Sequence, residues 1–126
     1  FKYPTYYIPP LHDEVSLPLI YNAADIMIVP SIQENLANSI IESLSCGVPV
    51  VAFDVGGNSD MIDHKSNGYL AKAISPKDMA NGIEWVIKNN ESKDLSNNAR
   101  NKALKEFDQQ LVAKKYIDLY KSTIEE

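Results

Sequence analysis

The sequence predicts an α/β fold in which a parallel sheet is covered by helices and gives way to a helical C-terminus. Two apolar runs of strand length, at 25–29 and 48–53, lack the strict alternation of a half-exposed strand, as strands covered on both faces do. Between them lie a polar loop and a helix of about two turns, with Ile40, Ile41 and Leu44 on one side and Gly47 stopping it. From Ser75 onward the apolar residues keep helical spacing to the end of the chain.

Taken in order, residues 1–8 hold four aromatics and Ile8 and read as a first strand, ended by Pro9-Pro10. The three tyrosines among them read as packing residues. Residues 11–14 form a loop with an acidic tip. A helix over 17–24 follows, with Leu17, Ile20, Tyr21 and Ala24 on one face, Ser16 as its cap and Pro18 in its first turn. Asp25 begins the strand that feeds the central loop, and Pro30 ends it. After the second buried run, residues 53–62 read as a strand end, a glycine turn at Gly56-Gly57 and a short helix. A surface turn at 64–68 leads to a short strand at 69–71. Ser75 then caps a helix with Pro76 at its first position, and Met79, Ile83, Val86 and Ile87 make its apolar face. An Asn-rich link spans 89–98, with a second helix over 92–107. A third helix, over 109–124, buries Val112, Tyr116, Leu119 and Tyr120. Four strands interleaved with helices give a Rossmann-like sheet with right-handed crossovers.

A chain of 126 residues suits one domain with a sizeable core. A net charge of −5 without a basic cluster argues against nucleic-acid binding. The single cysteine, Cys46, rules out an internal disulfide and reads as a buried, inert thiol. His12 and His64 lack ligand spacing, so no metal site of side chains is expected, and nothing in the sequence calls for a cofactor. No apolar run approaches the roughly 20 residues that a membrane helix needs.

The function is read from the loop and helix at 30–45, at the carboxyl end of the first strand of a βαβ unit, where open α/β sheets bind ligands. Glu34 lies in the loop and Glu42 in the helix. The helix start between them offers free N–H groups and a positive dipole end, a seat for phosphate. An anion seat flanked by carboxylates suits a ligand with hydroxyls on both sides of a diphosphate. A nucleotide sugar has that layout. Each residue also has a plain structural reading. Ser39 and Glu42 match a capping box, with Ser39 as N-cap and Glu42 at N3. Gly47 suits a helix C-terminus, Pro49 the entry to a strand, and Gly56-Gly57 a simple turn.

Glu34 and Glu42 make an E-x7-E pair, followed by Cys46-Gly47-Val48-Pro49-Val50-Val51-Ala52 and then Gly56-Gly57. From about residue 6 to 120 the chain resembles the donor-binding C-terminal domain of retaining GT-B glycosyltransferases of group 1 (GT4-like). The resemblance implies one domain over 1–126, truncated at its N-terminal side and lacking the acceptor domain. It implies transfer of a sugar from a nucleoside diphosphate donor to a glycan, lipid-linked or small-molecule acceptor hydroxyl, with retention of configuration. Glu34 and Glu42 are then the candidate catalytic residues, Glu34 on sugar hydroxyls near the reacting carbon and Glu42 on ribose hydroxyls. Asn38 and Ser39 face the diphosphate, and Leu36, Ala37, Gly56 and Gly57 complete the donor-binding set. Asp60 stands where the family usually has an acid, and Leu36-Ala37 where it often has Phe-Gly. A basic residue that neutralises the diphosphate belongs to the missing segment. The implied setting is cytoplasmic, with peripheral placement at the inner membrane face open to the full-length enzyme. The alternatives are a sugar-nucleotide epimerase or hydrolase of the same architecture and a non-catalytic nucleotide-binding α/β domain, for instance a receiver-like one with Asp54 at a strand end.

Overall fold

The computed structural model describes residues 2–124. Its elements are α1 (Ser16–Asn22), β1 (Met27–Val29), α2 (Asn38–Ser45), β2 (Val50–Phe53), α3 (Asn58–Met61) and β3 (Gly68–Ala71). Four helical stretches follow: α4 (Pro76–Asn89), α5 (Asp94–Lys102), a π-helical turn over Ala103–Phe107, and α6 (Gln109–Ile124). The strands form one open, all-parallel sheet in the order β1-β2-β3. Helices flank it and the chain ends helically, as the sequence predicts.

β2 is buried along its whole length, the pattern that its unbroken apolar run implies. Its side chains alternate between two cores. Val50 and Ala52 pack with Val29, Ile40, Leu44, Met61 and Ala99 on the side of α2 and α5. Val51 and Phe53 pack with Ala71, Met79, Val86 and Leu95 on the side of α4. Gly68 pairs with Val50 so closely that a Cβ there would sit 2.2 Å from the Val50 carbonyl oxygen.

Three expectations about pairing and burial need correction. Residues 2–8 form no strand, and Tyr6 and Tyr7 are 85% and 91% exposed; residue 1 lies outside the described residues. A strand exists only as part of a ladder, and these residues pair with neither outer edge of the sheet, β1 or β3. Ile87 on α4 is 58% exposed, whereas Met79 and Val86 on the same helix are buried. No residue of α6 is buried, and Tyr116, Leu119 and Tyr120 are 58%, 60% and 64% exposed. Helical periodicity gives α6 an apolar face, but its main contact is the π-helical turn before it, so that face has little to pack on.

Among the described residues no helix is long and apolar enough to cross a membrane. The cap of α4 forms as expected, with Ser75 Oγ accepting the Asp78 N–H and Pro76 in the first turn. The cap of α1 does not come from Ser16. Asp13 Oδ1 accepts the backbone N–H groups of Val15 and Ser16 instead. The Ser16 N–H bond is the main cause holding the Asp13 carboxyl below its ordinary value.

A lowered folded-state value means that this cap contributes fully above the ordinary carboxylate range and is lost as pH falls through the folded value. The Val15 and Ser16 amides are therefore expected to lose hydrogen-exchange protection below about pH 4. Protection that stays unchanged until the whole protein unfolds in acid would show that the Asp13 bonds do not hold the start of α1.

Candidate functional site

β1 and β2 run parallel, so the loops that follow Val29 and Phe53 leave the same edge of the sheet. The first loop carries Glu34, Leu36 and Ala37 into α2, and the second carries Gly56 and Gly57 into α3. The glycine pair joins the two. A Cβ on Gly56 would lie 1.6 Å from the Glu34 carbonyl oxygen, and one on Gly57 would lie 2.2 Å from that of Asn35. The Gly57 N–H donates to the Asn35 carbonyl at 2.9 Å. Gly56 also has φ +53, a region that favours glycine. The close backbone approach is thus made to the Glu34 loop itself.

Buried Asn58, which follows the pair, fixes this turn by donating its Nδ2 to the Phe53 carbonyl at 2.9 Å. Its Oδ1 is buried without a partner among the described residues. Leu36 is half exposed and approaches Gly57, while Ala37 is buried at φ −75, ψ 110. That is ordinary extended backbone, so the loop needs no glycine at 37.

The capping box does not form. Ala37, two residues earlier than the box requires, is the N-cap, and its carbonyl accepts the Ile40 and Ile41 N–H groups. Ser39 therefore lies inside the helix, and no side chain caps α2. Among the described residues nothing accepts from the Asn38 or Ser39 N–H. A positive helix end is left open beside the Glu34 loop.

The same shift in helix start moves Glu42 off the third position and onto the face toward α1. There its Oε2 accepts the Tyr21 hydroxyl at 2.9 Å. Burial is the main cause raising the Tyr21 hydroxyl above its ordinary value, and the Glu42 bond and charge add to it. The group stays a donor through neutral and alkaline pH. Glu34 is half buried, Glu42 is exposed, and no hydrogen bond joins their side chains. Glu34, Asn38, Ser39, Gly56 and Gly57 therefore share one edge of the sheet, with Glu42 one turn into α2. Sequence reasoning placed Tyr21 on a helix face but missed its partner, and missed Asn58. Spacing carries no signal for the first; an Asn directly after the glycine pair was a signal for the second.

Residues 10–102 match the family model described as glycosyl transferases group 1. The chain belongs to that family. An uncharacterized glycosyltransferase of Methanocaldococcus jannaschii is 28% identical over 87% of the chain. The N,N'-diacetylbacillosaminyl-diphospho-undecaprenol alpha-1,3-N-acetylgalactosaminyltransferase of Campylobacter jejuni is 30% identical over 79% of it. The chain spans 28% and 27% of the lengths of these two relatives. Among solved structures, Anabaena Alr3699/HepE in complex with UDP matches 86% of the chain, and 30% of its own, with a TM-score of 0.79 and 26% identity. The group 1 enzymes have the GT-B architecture, and the open parallel sheet with a helical C-terminus agrees with it.

Gly56→Ala should cost at least about 2 kcal/mol in thermal unfolding, because left-handed strain and overlap with the Glu34 carbonyl combine. A variant with wild-type stability would mean that the loop and the glycine turn are not locked together.

Proposed function

We propose that this chain is the nucleotide-sugar donor-binding part of a retaining group 1 glycosyltransferase. The observation that carries the reading is the start of α2, where the Asn38 and Ser39 amides have no partner among the described residues and stand between the Glu34 loop and Glu42. Two unpaired N–H groups at a positive helix end suit a diphosphate. Glu34 then accepts sugar hydroxyls near the reacting carbon, and Glu42 accepts ribose hydroxyls. Leu36 and Ala37 shape the loop beside the sugar, and Gly56 and Gly57 hold that loop in place. The complexes of Anabaena Alr3699/HepE with UDP and with UDP-glucose support a nucleotide-sugar donor.

In this reading a sugar passes from the nucleoside diphosphate to an acceptor hydroxyl with retained configuration, and neither glutamate is a covalent nucleophile. The negative charge that grows on the leaving diphosphate meets fixed N–H dipoles, which are worth most when aimed before the reaction. The acceptor, a glycan, a lipid-linked sugar or a small molecule, is held by an acceptor domain outside this chain. The Campylobacter relative, whose name carries diphospho-undecaprenol, supports a lipid-linked acceptor and an enzyme peripheral to the membrane. The 126-residue chain alone is expected to transfer no sugar. Glycoside product from the purified chain would sink that expectation.

The decisive substitution is Glu42→Gln in the full-length enzyme. Gln still accepts the Tyr21 hydroxyl, so stability should barely move. It offers one acceptor oxygen instead of two and turns an NH2 toward the ribose. Donor affinity should fall by about 1–3 kcal/mol, roughly 5- to 150-fold. Unchanged affinity at unchanged stability would remove Glu42 from the site and the reading with it.

A further inference from the structure

We propose that Tyr21 is a positioning residue for the donor: its hydroxyl fixes the Glu42 carboxylate so that the oxygen left free meets the ribose. The inference deepens the donor-binding reading above and rests on it.

The geometry is specific. Tyr21 Oη donates to Glu42 Oε2 at 2.9 Å, across 21 residues of sequence and between two helices. Among the described residues this is the one side-chain hydrogen bond that Glu42 receives. A carboxylate has about four acceptor positions, so Oε1 and one lone pair of Oε2 remain for hydroxyl donors. Glu42 is exposed, and an exposed glutamate otherwise samples many rotamers. A tyrosine has only a rigid ring to place. Tyr21 is half-buried, and its ring lines two apolar hollows. One, of about 320 Å³, is lined by Leu17, Ile20, Ala24 and Met27 among others. The other, of about 210 Å³, is lined by Leu17, Pro18, Ile41 and Glu42 itself, among others. A half-buried ring on α1 thus orients a charge on the neighbouring helix through its hydroxyl. Ordering that carboxylate before the donor arrives removes an entropic cost from binding. The raised Tyr21 hydroxyl keeps its proton across the working pH range, so the tie does not switch off.

A tie that only staples α1 to α2 would have the same distance, so the test must read ribose recognition rather than affinity alone. The experiment measures dissociation constants of UDP and 2′-deoxy-UDP for the full-length protein, as wild type, Tyr21→Phe, Glu42→Gln and the double variant, with melting temperatures alongside. Phe keeps the ring and its packing. Wild type is expected to prefer UDP. Glu42→Gln is expected to abolish most of that preference. Tyr21→Phe is expected to lower it about threefold or more at nearly unchanged melting temperature. The double variant should be no worse than Glu42→Gln alone, because both changes act through one carboxylate.

Two results overturn the inference while leaving donor binding intact. One is a Tyr21→Phe protein that keeps the wild-type preference while Glu42→Gln loses it. The other is a Tyr21→Phe protein that binds both nucleotides more weakly by the same factor, the mark of a purely structural tie. A preference that survives Glu42→Gln overturns the ribose role of Glu42, and the role of Tyr21 falls with it.

Discussion

β2 is paired on both edges and buried on both faces, and the candidate site hangs from that constraint. Its four residues cannot slide by one position without exchanging the two cores, because Val50 and Ala52 face α2 while Val51 and Phe53 face α4. The register with β1 is therefore fixed, with Val29 opposite Ala52. That register brings the ends of β1 and β2 to one edge. It also brings the glycine turn against the Glu34 loop, where no side chain larger than hydrogen fits. A strand with no polar residue in it thus decides where the polar residues of the site can be.

The start of α2 follows from the same packing. Ala37 is buried beside Ile40 and Leu44, so the helix begins two residues earlier than the Ser39–Glu42 spacing suggests. Burial of an alanine wins over a side-chain cap, and the helix end keeps its unpaired amides. In a plain structural helix that would be a deficit of about 1 kcal/mol. At a site built for an anion it leaves donors open. The open helix end lies within the span, residues 10–102, that matches the family.

Much of this was legible in the sequence where the signal is local. The unbroken apolar run at 48–53 marked a strand covered on both faces. The Ser75-Pro76 pair marked the cap of α4, and the spaced glutamates with the following glycines marked the family. What failed was non-local. Residues 2–8 have strand-like composition, yet a strand exists only with a partner, and composition does not reveal one. Helical spacing in α6 predicted an apolar face truly and a burial wrongly, since Tyr116, Leu119 and Tyr120 remain exposed. The capping box matched in letters and missed by two residues of helix start. The bond between Tyr21 and Glu42 depends on how α1 and α2 pack together, and no spacing rule encodes it.

The central claim is that the open start of α2 seats the donor diphosphate between the two carboxylates. It is tested most directly by a crystal structure of the full-length protein with a bound nucleoside diphosphate. The account predicts phosphate oxygens within hydrogen-bond distance of the Asn38 and Ser39 amides, with the ribose hydroxyls on Glu42. Well-ordered diphosphate elsewhere would contradict it, for example in the broad hollow of about 800 Å³ beside Gly47, Lys93 and Arg100 at the far end of α2.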